Sequence, residues 1–100
     1  MNETDLKTKL NHETAKMHWD ELQRFYASGM VIGVAAGTDL IEVAIEFSED
    51  NKAAVAQRLE LGTVFKIDDE LAMTWHEQQP TLWAVVIAPW VLVQTVAAEA

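Results

Sequence analysis

The stretch Leu82 to Gln94, LWAVVIAPWVLVQ, is the part of the sequence from which we predict the fold. Its first twelve residues carry no charge and, apart from two indoles, no hydrogen-bonding side chain. A run this rich in β-branched residues predicts a strand that is covered on both faces. Twelve extended residues would span ~40 Å, about twice a usual strand, and Pro89 has no N–H for a ladder. We therefore predict a strand at Leu82–Ala88, a bend at Pro89 and a second extended arm at Trp90–Thr95.

Composition limits the classes of function. One hundred residues, half of them hydrophobic, predict a single domain over residues 1–100 with a modest core. The 16 acidic and 7 basic residues give a net charge of −9, which disfavours nucleic acids and anionic membranes as partners. The apolar run is also too short for a membrane span of about 20 residues. The acidic, polar N-terminus is unlike a secretory leader, so we expect a cytoplasmic protein.

Helical spacing and capping residues predict four helices. The predicted bounds are from a cap at Thr4 to about Met17, from Trp19 to Gly29, from Ser48-Glu49-Asp50 to Gly62, and from Asp68 to Pro80. The third helix is predicted to turn Val55, Ala56 and Leu59 inward. Whether His18 caps the second helix or lies inside one long bent helix is left open by the sequence.

Two further segments suggest a β-hairpin. Met30–Ala36 is a short apolar run, residues 37–39 supply turn chemistry, and Leu40–Phe47 alternates in polarity. In a strand, the alternation would bury Ile41, Val43, Ile45 and Phe47 and turn Glu42 and Glu46 to the other face. Residues 64–67 are predicted to form a brief extended segment.

These elements define an α+β fold with the order α-α-β-β-α-α-β. We expect a small three-stranded sheet, made of the hairpin and the C-terminal strand, packed against helices that lie mainly on one face. The predicted strand order is two-one-three. The apolar arm then needs a cover, and a second copy of the chain would supply it. We therefore predict a homodimer with Pro89, Trp90, Val91, Leu92 and Val93 at the interface.

The carboxylates and tryptophans are the candidate binding residues. On one face of a strand, Glu42 and Glu46 would flank a shallow recess above Ala44, and paired carboxylates can act as acid and base or hold a cation. They would lie ~13 Å apart, too far to share one ion, so a solvated sheet edge is the favoured interpretation. Trp19 and Trp90 are the candidate aromatic walls, although a core position suits Trp19 and an interface suits Trp90.

No reactive constellation is visible in the sequence. His12-Glu13-Thr14-Ala15-Lys16 approaches the zinc motif His-Glu-x-x-His, but Lys16 stands where the second imidazole is needed. His76 is interpreted as a surface residue, and with no cysteine there is no thiol nucleophile. We predict no catalytic residue, no metal ligand and no cofactor.

Several segments resemble a known family. They are residues 10–17 (LNHETAKM), 19–25 (WDELQRF), 39–44 (DLIEVA) and above all 82–94. They are similar to a family of bacterial proteins of about this length, domain of unknown function 2288. The resemblance implies a bacterial domain and brings no known activity, cofactor or catalytic residue.

The function is thus unknown from the sequence, and two hypotheses follow. The first is a non-catalytic bacterial cytoplasmic interaction module that dimerises through its C-terminal apolar strand or recognises another protein. The alternative is a site for a small ligand or a divalent metal on the open sheet face near Glu42 and Glu46. Such a site could also be the active site of an enzyme.

Overall fold

The computed structural model describes residues 8–10 and 12–96, which form a mixed α+β fold. A helical segment at residues 8–10 and 12–13 comes first. The strands are β1 (Ala15–His18), β2 (Val31–Val34), β3 (Val64–Lys66), β4 (Thr81–Ile87) and β5 (Trp90–Thr95). The helices that follow are α1 (Trp19–Ala27), α2 (Leu40–Ser48), α3 (Lys52–Leu61) and α4 (Asp69–Gln78). Within the described ranges, every helix is too short or too polar to cross a membrane.

The strands form one five-stranded sheet in the order β1-β4-β5-β2-β3. Strands β4 and β5 are an antiparallel hairpin around Ala88 and Pro89, whose peptide bond is cis. Strand β5 runs parallel to β2, and the two edge strands are antiparallel to their neighbours. Because β5 lies between β4 and β2, its backbone is paired on both sides.

Both faces of the sheet are covered by helices. On one face, α2 packs its buried side chains on Ile32, Val85 and Leu92. On the other face, α1 and α4 bring Trp19 and Trp75 against residues that include Leu82, Ala84, Val91 and Val93. Helix α3 packs beside α2 and β3 and contributes no fully buried residue.

The predicted strand at Leu40–Phe47 is wrong, because this segment is the helix α2. Asp39 caps the helix, since its Oδ1 accepts hydrogen bonds from the N–H groups of Ile41 at 3.0 Å and Glu42 at 3.2 Å. Apolar residues at 40, 43, 44 and 47 also follow the helical i, i+3, i+4, i+7 pattern. The segment fits both periods, and the side-chain cap at Asp39 favours the helix.

The predicted three-stranded sheet is also wrong. So are its predicted strand order, two-one-three, and the prediction that the helices lie mainly on one face. Strands β1, β3 and β5 were missing from the predicted sheet, and Leu40–Phe47 was wrongly included. The predicted first helix stops short of Met17, because Thr14 donates its N–H and its hydroxyl to the carbonyl oxygen of Leu10 and the chain then becomes β1. The predicted cap at Thr4 lies outside the described residues.

The remaining predicted elements are confirmed, except for the start of α3: Ser48 ends α2, and Asn51 caps α3 by accepting the N–H of Ala54 at 3.1 Å. Helices α1 and α4, strand β3, and the extended segments on either side of Pro89 lie within a few residues of their predicted bounds. Gly62 ends α3 with a φ of 80°, as a stop residue in the left-handed region should. The inward stripe of α3 is not confirmed, since Leu59 is 50% exposed.

We predict that Asp39→Ala lowers the free energy of unfolding by about 1 kcal/mol, because two N–H groups of α2 lose their acceptor. Asp39→Asn keeps an acceptor oxygen and should lower it by a few tenths at most. Urea denaturation followed by circular dichroism measures both changes. Equal destabilisation by alanine and asparagine would contradict the capping role.

Gly33 marks a close approach within the sheet. A Cβ at this position would overlap the Phe65 ring on the neighbouring strand. We therefore predict that Gly33→Ala destabilises the protein by about 1–3 kcal/mol, as overpacked cores do. Adding Phe65→Leu should recover part of this loss, so thermal unfolding of the double variant should show a cost below the sum of the single costs. Additive costs would count against the steric explanation.

Candidate functional site

The tip of the β4–β5 hairpin is an apolar surface. Val86 is 55% exposed, Ala88 and Pro89 are exposed, and Ile87 and Trp90 are half-buried. None of the five side chains has a polar group except the Trp90 indole. Connecting segments at the surface are commonly polar, so an apolar turn marks a candidate interaction site.

An apolar groove lies next to this tip. Its apolar lining is Phe47 from α2, Val55, Ala56 and Leu59 from α3, and Trp90 from β5, around a volume of about 250 Å³. The Phe47 and Trp90 ring centroids are 6.4 Å apart, edge to face. Phe47 also lines a depression beside residues 86–88. It therefore joins the groove and the hairpin tip into one surface, which we call the Trp90 surface: Phe47, Val55, Leu59 and Val86–Trp90.

The structure separates the five predicted interface residues into two groups. Pro89 and Trp90 belong to the Trp90 surface. Val91, Leu92 and Val93 are at most 2% exposed, because the chain's own helices cover both faces of β5. The arm that was predicted to need a second copy as its cover is thus covered within the chain.

Glu42 and Glu46 lie on α2 and share a cation from the same chain. Arg58 of α3 donates from Nε to Glu46 Oε1 at 2.6 Å and from Nη2 to Glu46 Oε2 at 2.8 Å. Arg58 Nη2 also lies 3.9 Å from Glu42 Oε1. The hydrogen bond to Glu46 raises the pKa of Arg58 further. The pair predicted to be a solvated strand face is therefore a clamp that joins α2 to α3.

Trp19 is a core residue and lies on the other face of the sheet. It is 1% exposed, and its ring is 5.4 Å from both Tyr26 and Trp75. The Tyr26 hydroxyl donates to Asp69 Oδ1, and this hydrogen bond, together with desolvation and the charges of Asp69 and Asp68, raises the pKa of Tyr26. Trp19 therefore cannot form a wall of a site with Glu42, Glu46 or Trp90.

A second open groove lies at the other end of the sheet. Two adjoining depressions of about 410 and 320 Å³ share Thr38, Asp39, Trp83 and Gln94. Gln94 Nε2 donates to the carbonyl oxygens of Ala35 at 2.8 Å and Thr38 at 2.6 Å, which fixes the loop before α2. This groove shares no lining residue with the Trp90 surface.

Metal-binding geometry is not found among residues 8–10 and 12–96, where no three His, Asp or Glu side chains group as a site would require. His18 is the residue before α1, where its N–H donates to Glu21 Oε2 at 3.0 Å. His12 and His76 are exposed on helical segments.

Several residues of these sites were missed in the sequence. The strand prediction sets Glu42 and Glu46 ~13 Å apart and so gives no reason to expect Arg58 as a partner that both share. In a helix over Leu40–Phe47, Glu42 and Glu46 lie on one face, and a basic residue packed against that face is the expected partner. The alternation in that strand also predicts a buried position for Phe47, whereas the helix leaves it half-buried beside Trp90. No local signal indicated Trp83 and Gln94 as groove residues, because their neighbours come from distant segments.

Comparison with known proteins identifies the family. Residues 5–95 match the family described as protein of unknown function (DUF2288), and the chain belongs to this family. The structure is similar to the NMR solution structure of PA1075 from Pseudomonas aeruginosa, with 43% sequence identity and a TM-score of 0.82 over 100% of this chain and 94% of that chain. None of the curated proteins matches. The family resemblance found in the sequence is confirmed, and it brings no function.

The Arg58 clamp yields a stability prediction. Glu46→Gln leaves the half-buried guanidinium without its carboxylate, so we expect a loss of about 1–3 kcal/mol. Glu42 is 65% exposed at 3.9 Å from Arg58, so Glu42→Gln should change stability by about 0.5 kcal/mol or less. Chemical denaturation of both variants, and of Glu46→Gln combined with Arg58→Met, measures the coupling. Equal effects of the two glutamine variants would show that Glu46 has no special role.

Proposed function

We propose that the protein is a non-catalytic binding module that works as a homodimer assembled through the Trp90 surface. The observation that carries this proposal is an apolar hairpin tip beside an apolar groove. A surface of this kind is typical of protein–protein contacts, in which apolar and aromatic side chains form the centre.

The position of the two parts supports a second copy as the occupant. The hairpin tip and the groove are neighbours. A two-fold axis between two molecules would therefore place the tip of each copy in the groove of the other, and the assembly would stop at two copies. The groove of about 250 Å³ is smaller than the roughly 300–1,000 Å³ of small-molecule sites. Side chains of another polypeptide suit it better than a free ligand.

The charges near the groove predict how such a dimer responds to salt. Glu42, Glu49 and Asp50 are exposed on or just after α2, and Lys52 is the lysine that lines the groove. Acidic residues thus outnumber basic ones here, and the whole chain carries −9. Two copies therefore repel each other electrostatically, while apolar contacts draw them together. Added salt screens the repulsion, so the dimer should tighten as ionic strength rises. A cationic partner on the same surface would show the opposite dependence.

The alternative site at Glu42 and Glu46 has less support. Arg58 already neutralises Glu46, and the two acids lie on a helix instead of an open sheet face. The bacterial origin predicted from the sequence is supported by the source of the similar solved structure, and the cytoplasmic location stays a prediction.

Light scattering behind size exclusion tests the homodimer. In 0.5 M NaCl we expect the native protein at twice the chain mass of 11.2 kDa, with a dissociation constant that increases as salt is removed. Trp90→Asp and Leu59→Asp should give monomers, because each places a carboxylate in the apolar contact. Leu61→Asp is the matched control, since Leu61 lies on the same helix, is 70% exposed and does not line the groove.

Circular dichroism establishes that each variant is folded, and Leu59→Asp carries the test if Trp90→Asp unfolds. A native monomer at every salt concentration would refute the homodimer. A dimer that survives both Trp90→Asp and Leu59→Asp would refute the Trp90 surface as its interface.

A further inference from the structure

We propose that the groove around Trp83 binds a small aliphatic amine, with the ammonium group held between the Trp83 ring and the Asp39 carboxylate. The two depressions that form this groove, about 410 and 320 Å³, lie within the range of small-molecule sites. The site is independent of the proposed homodimer, because its lining and the Trp90 surface share no residue.

The aromatic wall already attracts an ammonium group. Trp83 is half-buried on β4, and the Nζ atom of Lys16, from the neighbouring strand β1, lies 5.0 Å from its ring centroid. A cation above an indole face is drawn to the negative face of the ring. Lys16 itself is exposed and lines neither depression, so the groove side of Trp83 remains open to a ligand.

The polar groups of the groove match a ligand that only donates hydrogen bonds. Asp39 uses Oδ1 to cap α2, and its Oδ2 accepts no hydrogen bond from a described residue. Gln94 uses its amide nitrogen on two carbonyl oxygens, and its Oε1 likewise has no donor in the described ranges. An alkylammonium carries three donors and no acceptor. Two oxygens and one aromatic face are therefore complementary to it.

The charge of the protein selects the same class of ligand. At −9 the molecule concentrates cations near its surface and repels phosphates and carboxylates. Asp39 is the charged residue among those that line the groove, with Lys16 at the Trp83 ring as its counterpart. Lys16 lines neither depression, but its charge lies at the Trp83 ring, so it repels a second cation there and lowers the native affinity.

The experiment uses spermidine as the probe and two-dimensional ¹H–¹⁵N NMR of the native chain as the readout. The indole N–H signal of Trp83 is assigned through Trp83→Phe. We expect saturable shifts of this signal and of the Gln94 side-chain amide, with an affinity that falls as NaCl is added. 1,8-Octanediol, an uncharged chain with a hydroxyl group at each end, should give no shift, and a saturable shift by the diol would overturn the ammonium assignment.

Asp39→Asn separates the carboxylate from the fold, because asparagine also caps helices. We expect about tenfold weaker spermidine binding, as for the loss of a charge-assisted hydrogen bond. Glu77→Gln on α4 is the matched control, since it removes one exposed negative charge away from the groove. Equal weakening by the two variants would mean that only the general charge attracts the amine, which would overturn the site.

Lys16→Gln gives a prediction in the opposite direction. Removing this positive charge beside Trp83 should tighten spermidine binding by about threefold. Lys66→Gln, which removes the same charge from the exposed part of β3, should tighten it less. Nα-acetyl-lysine amide distinguishes a free amine from the side chain of a peptide. Binding of spermidine alone supports the proposal, and binding of the blocked lysine alone overturns it in favour of a polypeptide ligand.

Discussion

The pairing of β5 with both β4 and β2 is the constraint on which the structure depends. The antiparallel pairing with β4 is local and joins β5 to the half of the sheet that contains β1. The parallel pairing with β2 joins it to the half that contains β3. Without β5 the sheet would separate into two ribbons of two strands, and isolated two-stranded ribbons are marginally stable in water. The apolar character of residues 91–93 follows directly, since a central strand covered by helices has no wet face.

The same strand also determines where the surface features lie. Its first residue, Trp90, emerges from the sheet at the hairpin tip, and Gln94, near its other end, holds the loop that begins α2. The two grooves therefore lie at opposite ends of one strand. Helix α2 joins the same two grooves, because Leu40 and Ile41 line the groove around Trp83 and Phe47 lines the groove beside Trp90.

The sequence was sufficient where a single periodicity or a single stop signal was present. Gly62, Pro80 and the acids at residues 68–70 located the ends of helices, and the apolar run around Pro89 located both strands of the hairpin. The prediction failed at Leu40–Phe47, where alternation and helical spacing coexist, although Asp39 directly before the run is a capping residue and favours the helix. It failed again at Ala15–His18, because an edge strand is selected by its pairing with β4 and has little apolar pattern of its own.

The candidate sites were less predictable than the fold, because each is assembled from distant segments. Glu46 and Arg58 are paired across two helices, and Trp83 and Asp39 line the same depression at one end of the sheet. Of the predicted interface residues, Pro89 and Trp90 lie on an accessible surface. They could be found from the local sequence, because they form an apolar turn and surface turns are commonly polar. Charge patterns pointed to Glu42 and Glu46 but not to their shared cation.

The position of β5 in the chain has a consequence for biosynthesis. It is the last of the described strands to be made, yet it occupies the middle of the sheet. While it is still inside the ribosome, β2 lacks its parallel neighbour and the apolar faces of the helices have no complete sheet to cover. A nascent chain of this kind exposes apolar surface that is prone to aggregation until β5 emerges. Completing the sheet then requires pairing between residues about 60 positions apart (Val31 with Val91), and non-local pairing of this kind slows folding.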